Sequence, residues 1–205
     1  AAYESDGEII GRILGGDADA FSFLMDRYGE DVARIAGRRV PWGDAEEVVH
    51  EIFVRAYLSL AAYEGKGDFK WWLTKIAVRS CCDFWRDRYR RRERPLSALS
   101  EDQARALARA EAEQSAASHA AVTEGREARE LLAWALAHLS PEDRAVLELV
   151  HIEERPVAEA AKLLGWSVVN VKVRAHRSRK KLRAVLDGLV AERGDTNDTA
   201  QQETR

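Results

Sequence analysis

VAEAAKLLGWSVVNVKVRAHRSRKKLR, residues 157–183, reads as a short helix, a tight turn holding Gly165, and a longer basic helix running from Val168 to about Leu189. That order is a helix-turn-helix. In the longer helix Val168, Val171, Ala175, Leu182, Val185 and Leu189 recur at helical spacing and are expected to face a core. Seven bases and no acid fall between residues 172 and 183: Lys172, Arg174, Arg177, Arg179, Lys180, Lys181 and Arg183. A helix of this width fits the DNA major groove, where Arg bonds guanine edges and Lys or Arg neutralises phosphates. Its N-terminal half should enter the groove, so Asn170, Lys172, Arg174 and Arg177 are the candidates for base or phosphate contact. Arg179, Lys180 and Arg183 lie farther along and suit the backbone. His176 has no Cys or His partner for a metal and is read as a surface or phosphate-facing residue.

Upstream, LSPEDRAVLELVHIEE (139–154) opens a helix with Ser140 as cap and Pro141 in the first turn. Ala145, Val146, Leu149 and Val150 form its apolar side, and EERP (153–156) is a polar joint. Leu131, Leu132, Trp134, Ala135 and Leu139 supply a further apolar stripe, so a compact unit is expected over 127–189. The polar tail 190–205 is expected to be disordered. Residues 95–126 differ in kind. From Ala98 to Arg126 ten residues are alanine, and Leu99, Leu107 and Val122 are the only large apolar ones. That is too little apolar surface for a packed position, so the segment reads as a flexible linker with transient helicity.

The N-terminal part, residues 1–94, forms the other unit. Phe21, Leu24, Tyr28, Val32 and Ile35 trace one helix face. Pro41-Trp42-Gly43 breaks it, and Asp44 is positioned to cap the next helix, whose stripe is Val48, Val49, Ile52, Phe53, Ala56, Tyr57 and Leu60. EGKGD (64–68) is a loop, and a third helix runs from about Phe69 to Tyr89. Tyr63, Phe69, Trp71, Trp72, Phe84, Trp85 and Tyr89 interleave there with Lys66, Lys70, Lys75, Arg79, Arg86 and Arg88. Rings beside cations are what an unstacked single strand requires, because bases stack while the backbone is neutralised. Trp72 and Phe84, spaced with Ile76, are expected in the core, and the adjacent Trp71 and Trp72 cannot both point inward.

Composition limits the alternatives. With only four prolines and no alternating runs of Val, Ile and Thr, the fold class is all-α, as two small helical domains. The adjacent Cys81 and Cys82 cannot build a disulfide framework or a zinc site and read as small residues in a helix core. No stretch approaches a bilayer span, and AAYESDGEII lacks the marks of a secretion signal, so the chain is expected in the cytoplasm. His50-Glu51 lacks the second His of a zinc-protease helix, and GKGD lacks Walker spacing. Neither catalysis nor a cofactor is indicated. Net charge is −3, but it is unevenly spread, with eight acids against two bases in residues 1–31 and the basic cluster at 172–183.

Three segments carry a resemblance. DAEEVVHEIFVRAYLSL (44–60) resembles the polymerase-binding helix of the extracytoplasmic-function sigma factors. FKWWLTKIAVRSCCDFWRDRYRRR (69–92) resembles their promoter-melting helix, and 139–183 resembles their fourth region, with the ending VKxRxHRxRKxLR intact. The resemblance implies an initiation subunit of bacterial RNA polymerase rather than an enzyme. Its first domain would grip the polymerase clamp and open the minus-ten element, and its second, toward the flap, would read the minus-thirty-five element as duplex. Asp44, Glu47, His50, Glu51 and Arg55 would face polymerase. The loop Gly65, Lys66, Gly67 and Asp68 would accept a flipped base, supported by Phe69 and Trp72. Lys75, Arg79, Asp83 and Arg86 would line the minus-ten contact. An anti-sigma factor is implied as inhibitor, and any membrane tether would come indirectly through it.

Four departures from the family pattern stand out. Arg79 replaces the usual Asn, and His50 the usual Gln. Val169-Asn170 replaces the usual Gly-Thr, and EERP a joint that ordinarily holds Gly. Two other classes use similar parts. A response regulator would need a receiver of alternating strands and helices, and an anti-sigma or interaction protein should lack the melting aromatics.

Overall fold

The computed structural model describes residues 4–65, 67–93 and 124–202, so the linker read over 95–126 lies almost wholly outside the described residues. Regular structure among the described residues is entirely helical. The helices are α1 (Asp6–Leu14), α2 (Phe21–Arg39), α3 (Ala45–Ser59), α4 (Phe69–Glu93), α5 (Glu124–Ala137), α6 (Pro141–Leu147), α7 (Val157–Leu164) and α8 (Val168–Gln202). A π-helical turn, Glu148–Ile152, follows α6 directly. The chain packs as two compact units, Ala1–Arg86 with Glu148–Val173, and Asp87–Leu147 with Arg174–Arg205.

The core of the first unit is where α1 to α4 meet. α1 starts on a reciprocal cap. The Glu8 amide donates to Ser5 Oγ, and the Ser5 amide donates to Glu8 Oε2 at 2.7 Å. It then buries Ile9, Ile10 and Ile13. α2 buries Phe21, Leu24, Tyr28, Val32 and Ala36, the three-and-four spacing of one face. Asp6 joins the two helices. It accepts from the Tyr28 hydroxyl at 2.5 Å and pairs with Arg27. Burial first, and then the Asp6 carboxylate, push the Tyr28 phenol upward. α3 contributes Val48, Ile52, Phe53 and Ala56, and α4 contributes Phe69, Leu73, Ala77 and Cys81. Tyr57 departs from its expected place. It is 41% exposed, its ring lying edge-on to Phe21 instead of inside the core.

In the second unit Leu136, Leu139 and Leu147 pack with Leu132, Leu182 and Val185. Ser140 caps α6 as expected, its Oγ accepting from the Asp143 amide at 3.3 Å. The end of the π turn is closed by the Glu153 amide donating to the Glu148 carbonyl at 2.8 Å. The joint EERP follows, with Glu154 at φ +53°, in the region glycine ordinarily occupies. α7 ends at Gly165, left-handed at φ +74°, and a Cβ there would also stand 2.6 Å from the Arg79 guanidinium. Ser167 Oγ then accepts from the Asn170 amide at 3.1 Å and starts α8. α8 runs to Gln202, past the end expected near Leu189, with no proline to stop it.

Candidate nucleic-acid interface

Helical period and a capped start set which α8 side chains face outward. Val171, Ala175 and Ser178 are buried, which fixes the rotation of the helix. Asn170, Lys172, His176, Arg177, Arg179, Lys180 and Arg183 are all exposed, as the sequence reading placed them. Val168 departs from the core-facing place expected of it, and Arg174 is set apart from the other bases. Val168 is 41% exposed, because it sits in the first turn before α8 reaches its packed face. Arg174 is half-buried, and its Nη1 donates to Asp143 Oδ1 at 3.2 Å.

Asp143, absent from the sequence reading, organises this side of α8. Its side chain is 3% exposed. It accepts from Ser178 Oγ at 2.8 Å and pairs with Lys181 Nζ at 2.5 Å. Burial pushes the carboxyl up, but hydrogen bonds from Lys181, Ser178 and Ser140 outweigh it and hold the group below the usual carboxylate range. Arg174 and Lys181 sit beside the buried stripe of α8, so their charges are spent partly on Asp143. Lys172, Arg177, Arg179, Lys180 and Arg183 point elsewhere.

On the first unit, the loop before α4 is anchored by rings. Tyr63, Phe69 and Trp72 stand with mutual centroid distances of 5.4–5.5 Å. Phe69 is 2% exposed, and the Tyr63 hydroxyl donates to the Gly67 carbonyl at 2.7 Å. Gly65 and Gly67 take φ values of +68° and +113°, and Asp68 Oδ1 accepts from the Lys70 amide at 2.9 Å. Gly65, Gly67 and Asp68 are exposed, while Lys66 lies outside the described residues. The result is an open loop on a rigid aromatic base. Trp72 and Phe84 pack against the core as expected, and Trp71 is half-buried.

The residues read as polymerase-facing and those read as minus-ten contacts are joined. Arg55 bridges Glu51 on its own helix and Asp83 on α4, each at 2.6 Å, and Asp83 also pairs with Arg86 at 2.7 Å. Hydrogen bonds donated to the Asp83 and Glu51 carboxylates hold the Arg55 guanidinium more firmly protonated. Glu47, His50 and Glu51 are exposed; Asp44 and Lys75 are half-buried. Asp44 occupies the cap position of α3, but its side chain does not bond the helix amides. Arg79 is exposed, and its Nε donates to the Leu163 carbonyl at the end of α7 at 3.2 Å. Arg39, missed in the sequence, is 4% exposed, pairs with Glu153 and accepts the Trp85 indole N–H on its carbonyl at 2.7 Å. Val54 and Leu58, 37% and 76% exposed, extend the outward stripe of Glu47 and Glu51 along α3. That stripe was legible as the complement of the buried one.

Cys81 is buried, and burial above all pushes the Cys82 thiol up to about 12, so both behave as inert small residues. Among the described residues no group of His, Cys, Asp and Glu could hold a metal, and no helix is long and apolar enough to cross a membrane.

Comparison with known proteins matches this geometry in two places. A family model described as Sigma-70 region 2 matches residues 24–91, and one described as Sigma-70, region 4 matches residues 129–182. The ECF RNA polymerase sigma-E factor of Escherichia coli K12 is 38% identical over 80 residues, 39% of this chain and 42% of that protein. Its Haemophilus influenzae counterpart is 35% identical over the same length. The match thus spans about 42% of the curated relatives' length. Among solved structures, the sigma factor RpoE bound to the anti-sigma factor NepR from Bartonella quintana is similar over 82% of this chain and 96% of its own. The TM-score is 0.50 and the identity 16%.

Proposed function

Since the chain belongs to the extracytoplasmic-function branch of the sigma-70 family, we propose that it joins core RNA polymerase and directs initiation at a distinct set of promoters. Residues 1–94 act as the polymerase-binding and minus-ten domain, 127–189 as the minus-thirty-five reader, and 95–126 as the linker between them. The observation that carries this reading is the exposed row of α8, where Lys172, Arg177, Arg179, Lys180 and Arg183 follow the capped turn of a helix-turn-helix. The outward stripe Glu47, Glu51, Val54 and Leu58 of α3 faces the polymerase clamp. Asp44, His50 and Arg55 flank that stripe.

The loop 65–68 takes an unstacked base, which costs a few kcal/mol of stacking and so needs a site formed in advance. The Tyr63–Phe69–Trp72 base supports that role. Lys75, Arg79, Asp83 and Arg86 flank the opened strand. The chain does no bond chemistry of its own and works in the cytoplasm. An anti-sigma factor holds it inactive, a reading supported by the RpoE neighbour having been solved with one.

Assembly tests the polymerase arm. The chain should co-elute with purified core polymerase, and Glu51→Lys with Leu58→Glu should weaken that association at least tenfold while leaving the helical circular dichroism intact. A chain that never co-elutes with core would overturn the proposal.

A further inference from the structure

Two valines near the start of α8 face outward. Val169 is 70% exposed and Val173 is 44% exposed. Four residues apart, they share one helix face. That face lies opposite Val171, Ala175 and Ser178, which are buried. Asn170, Lys172, His176 and Arg177 surround the pair, all exposed. Arg174, the other base in this half of the helix, is drawn aside to Asp143.

Two exposed valines set among cations do not suit an apolar protein partner, which would have to desolvate Lys172 and Arg177 to reach them. They suit a polyanion that carries apolar groups. In the major groove only one feature of the base edges is apolar, the C5-methyl group of thymine. Valine can neither donate nor accept a hydrogen bond, so a valine pair distinguishes bases there by that methyl group alone. We propose that Val169 and Val173 read one or two thymines of the upstream element through their methyl groups, while Lys172 and Arg177 hold the flanking phosphates or a guanine edge. This rests on the sigma-factor reading above. It goes further in naming a base feature and the residues that sense it.

The test uses the full chain assembled with core RNA polymerase. The upstream element is first selected from a randomised promoter library. Each thymine in the winning element is then replaced singly by deoxyuridine, which removes only the methyl group. Binding should weaken about three- to tenfold at one or two positions, the scale of one buried methyl contact. In the variant Val169→Ala with Val173→Ala, those positions should become insensitive to deoxyuridine. Both substitutions are on an exposed helical face where alanine is favourable, so the variant keeps its fold. Insensitivity of the natural chain at every thymine would overturn the proposal, and so would sensitivity that persists unchanged in the variant. If selection enriches no upstream element, the assignment of α8 as a duplex reader fails, and this proposal fails with it.

Discussion

A carboxylate with 3% of its side chain exposed, Asp143, takes bonds from Ser178, Arg174 and Lys181, and so divides the bases of α8 into held and free. Arg177 is free and Arg174 is not, although three residues apart they looked equivalent in sequence. Arg177→Ala should therefore cost about 1–3 kcal/mol of affinity for the selected duplex. Arg174→Ala should act mainly on stability, and equal affinity losses for the two would contradict this division. Replacing Asp143 by Asn should release both cations, destabilise the fold by about 1–3 kcal/mol, and steepen the salt dependence of DNA binding. The acid dependence has a definite sign. The folded Asp143 carboxyl lies below its ordinary value of about 3.9. Its contribution is therefore present above that pH and is lost as pH falls through the folded value. Denaturant melts between pH 6 and pH 3 should show a loss that Asp143→Asn lacks. Two backbone positions give a second check. Glu154 takes a glycine-like φ of +53°, where the family joint ordinarily holds Gly, so Glu154→Gly should stabilise by up to about 1 kcal/mol. Gly165→Ala should destabilise by about 1–2 kcal/mol, since its φ is +74°.

At the scale of elements, helix periodicity carried most of the fold. The stripes of α2 and α3 were legible because burial at three-and-four spacing is a local pattern, and Leu24 and Ile52 end at 1% and 0% exposure. Replacing either by Ala should cost about 2–5 kcal/mol. α1 went unread, although Ser5-Asp6-Gly7-Glu8 ahead of Ile9 carries a capping signature, because nine residues hold too few apolar positions to stand out by period. The ties that set side-chain roles were not legible. Arg174 meets Asp143 31 positions away, and Arg55 meets Asp83 28 positions away, and no local spacing announces such pairs. Arg79 stands where the resemblance calls for Asn, and an Arg fork cannot make the contacts of an amide. It also bonds the Leu163 carbonyl, which it must release before reaching a base. Promoters selected with Arg79→Asn should differ in the minus-ten element from those selected with the natural chain. Identical elements would assign Arg79 to phosphate or solvent.

At the scale of the whole molecule, the two proposed reading surfaces belong to one chain whose net charge is only −3. Binding to DNA should therefore be driven by the local basic faces and not by overall charge. Joined on one chain, the two surfaces raise each other's effective concentration at a promoter, so neither alone should select a start site. On the proposed function, a polymerase- and strand-facing domain would be followed along the chain by a duplex reader, the order an initiation factor requires. The most direct measurement is transcription from linear templates that carry a randomised upstream region, using purified core polymerase with and without the chain. RNAs of defined 5′ ends are expected only when the chain is present, from templates that share one element near minus ten and another near minus thirty-five. Transcripts that neither appear nor change when the chain is added would contradict the proposed function.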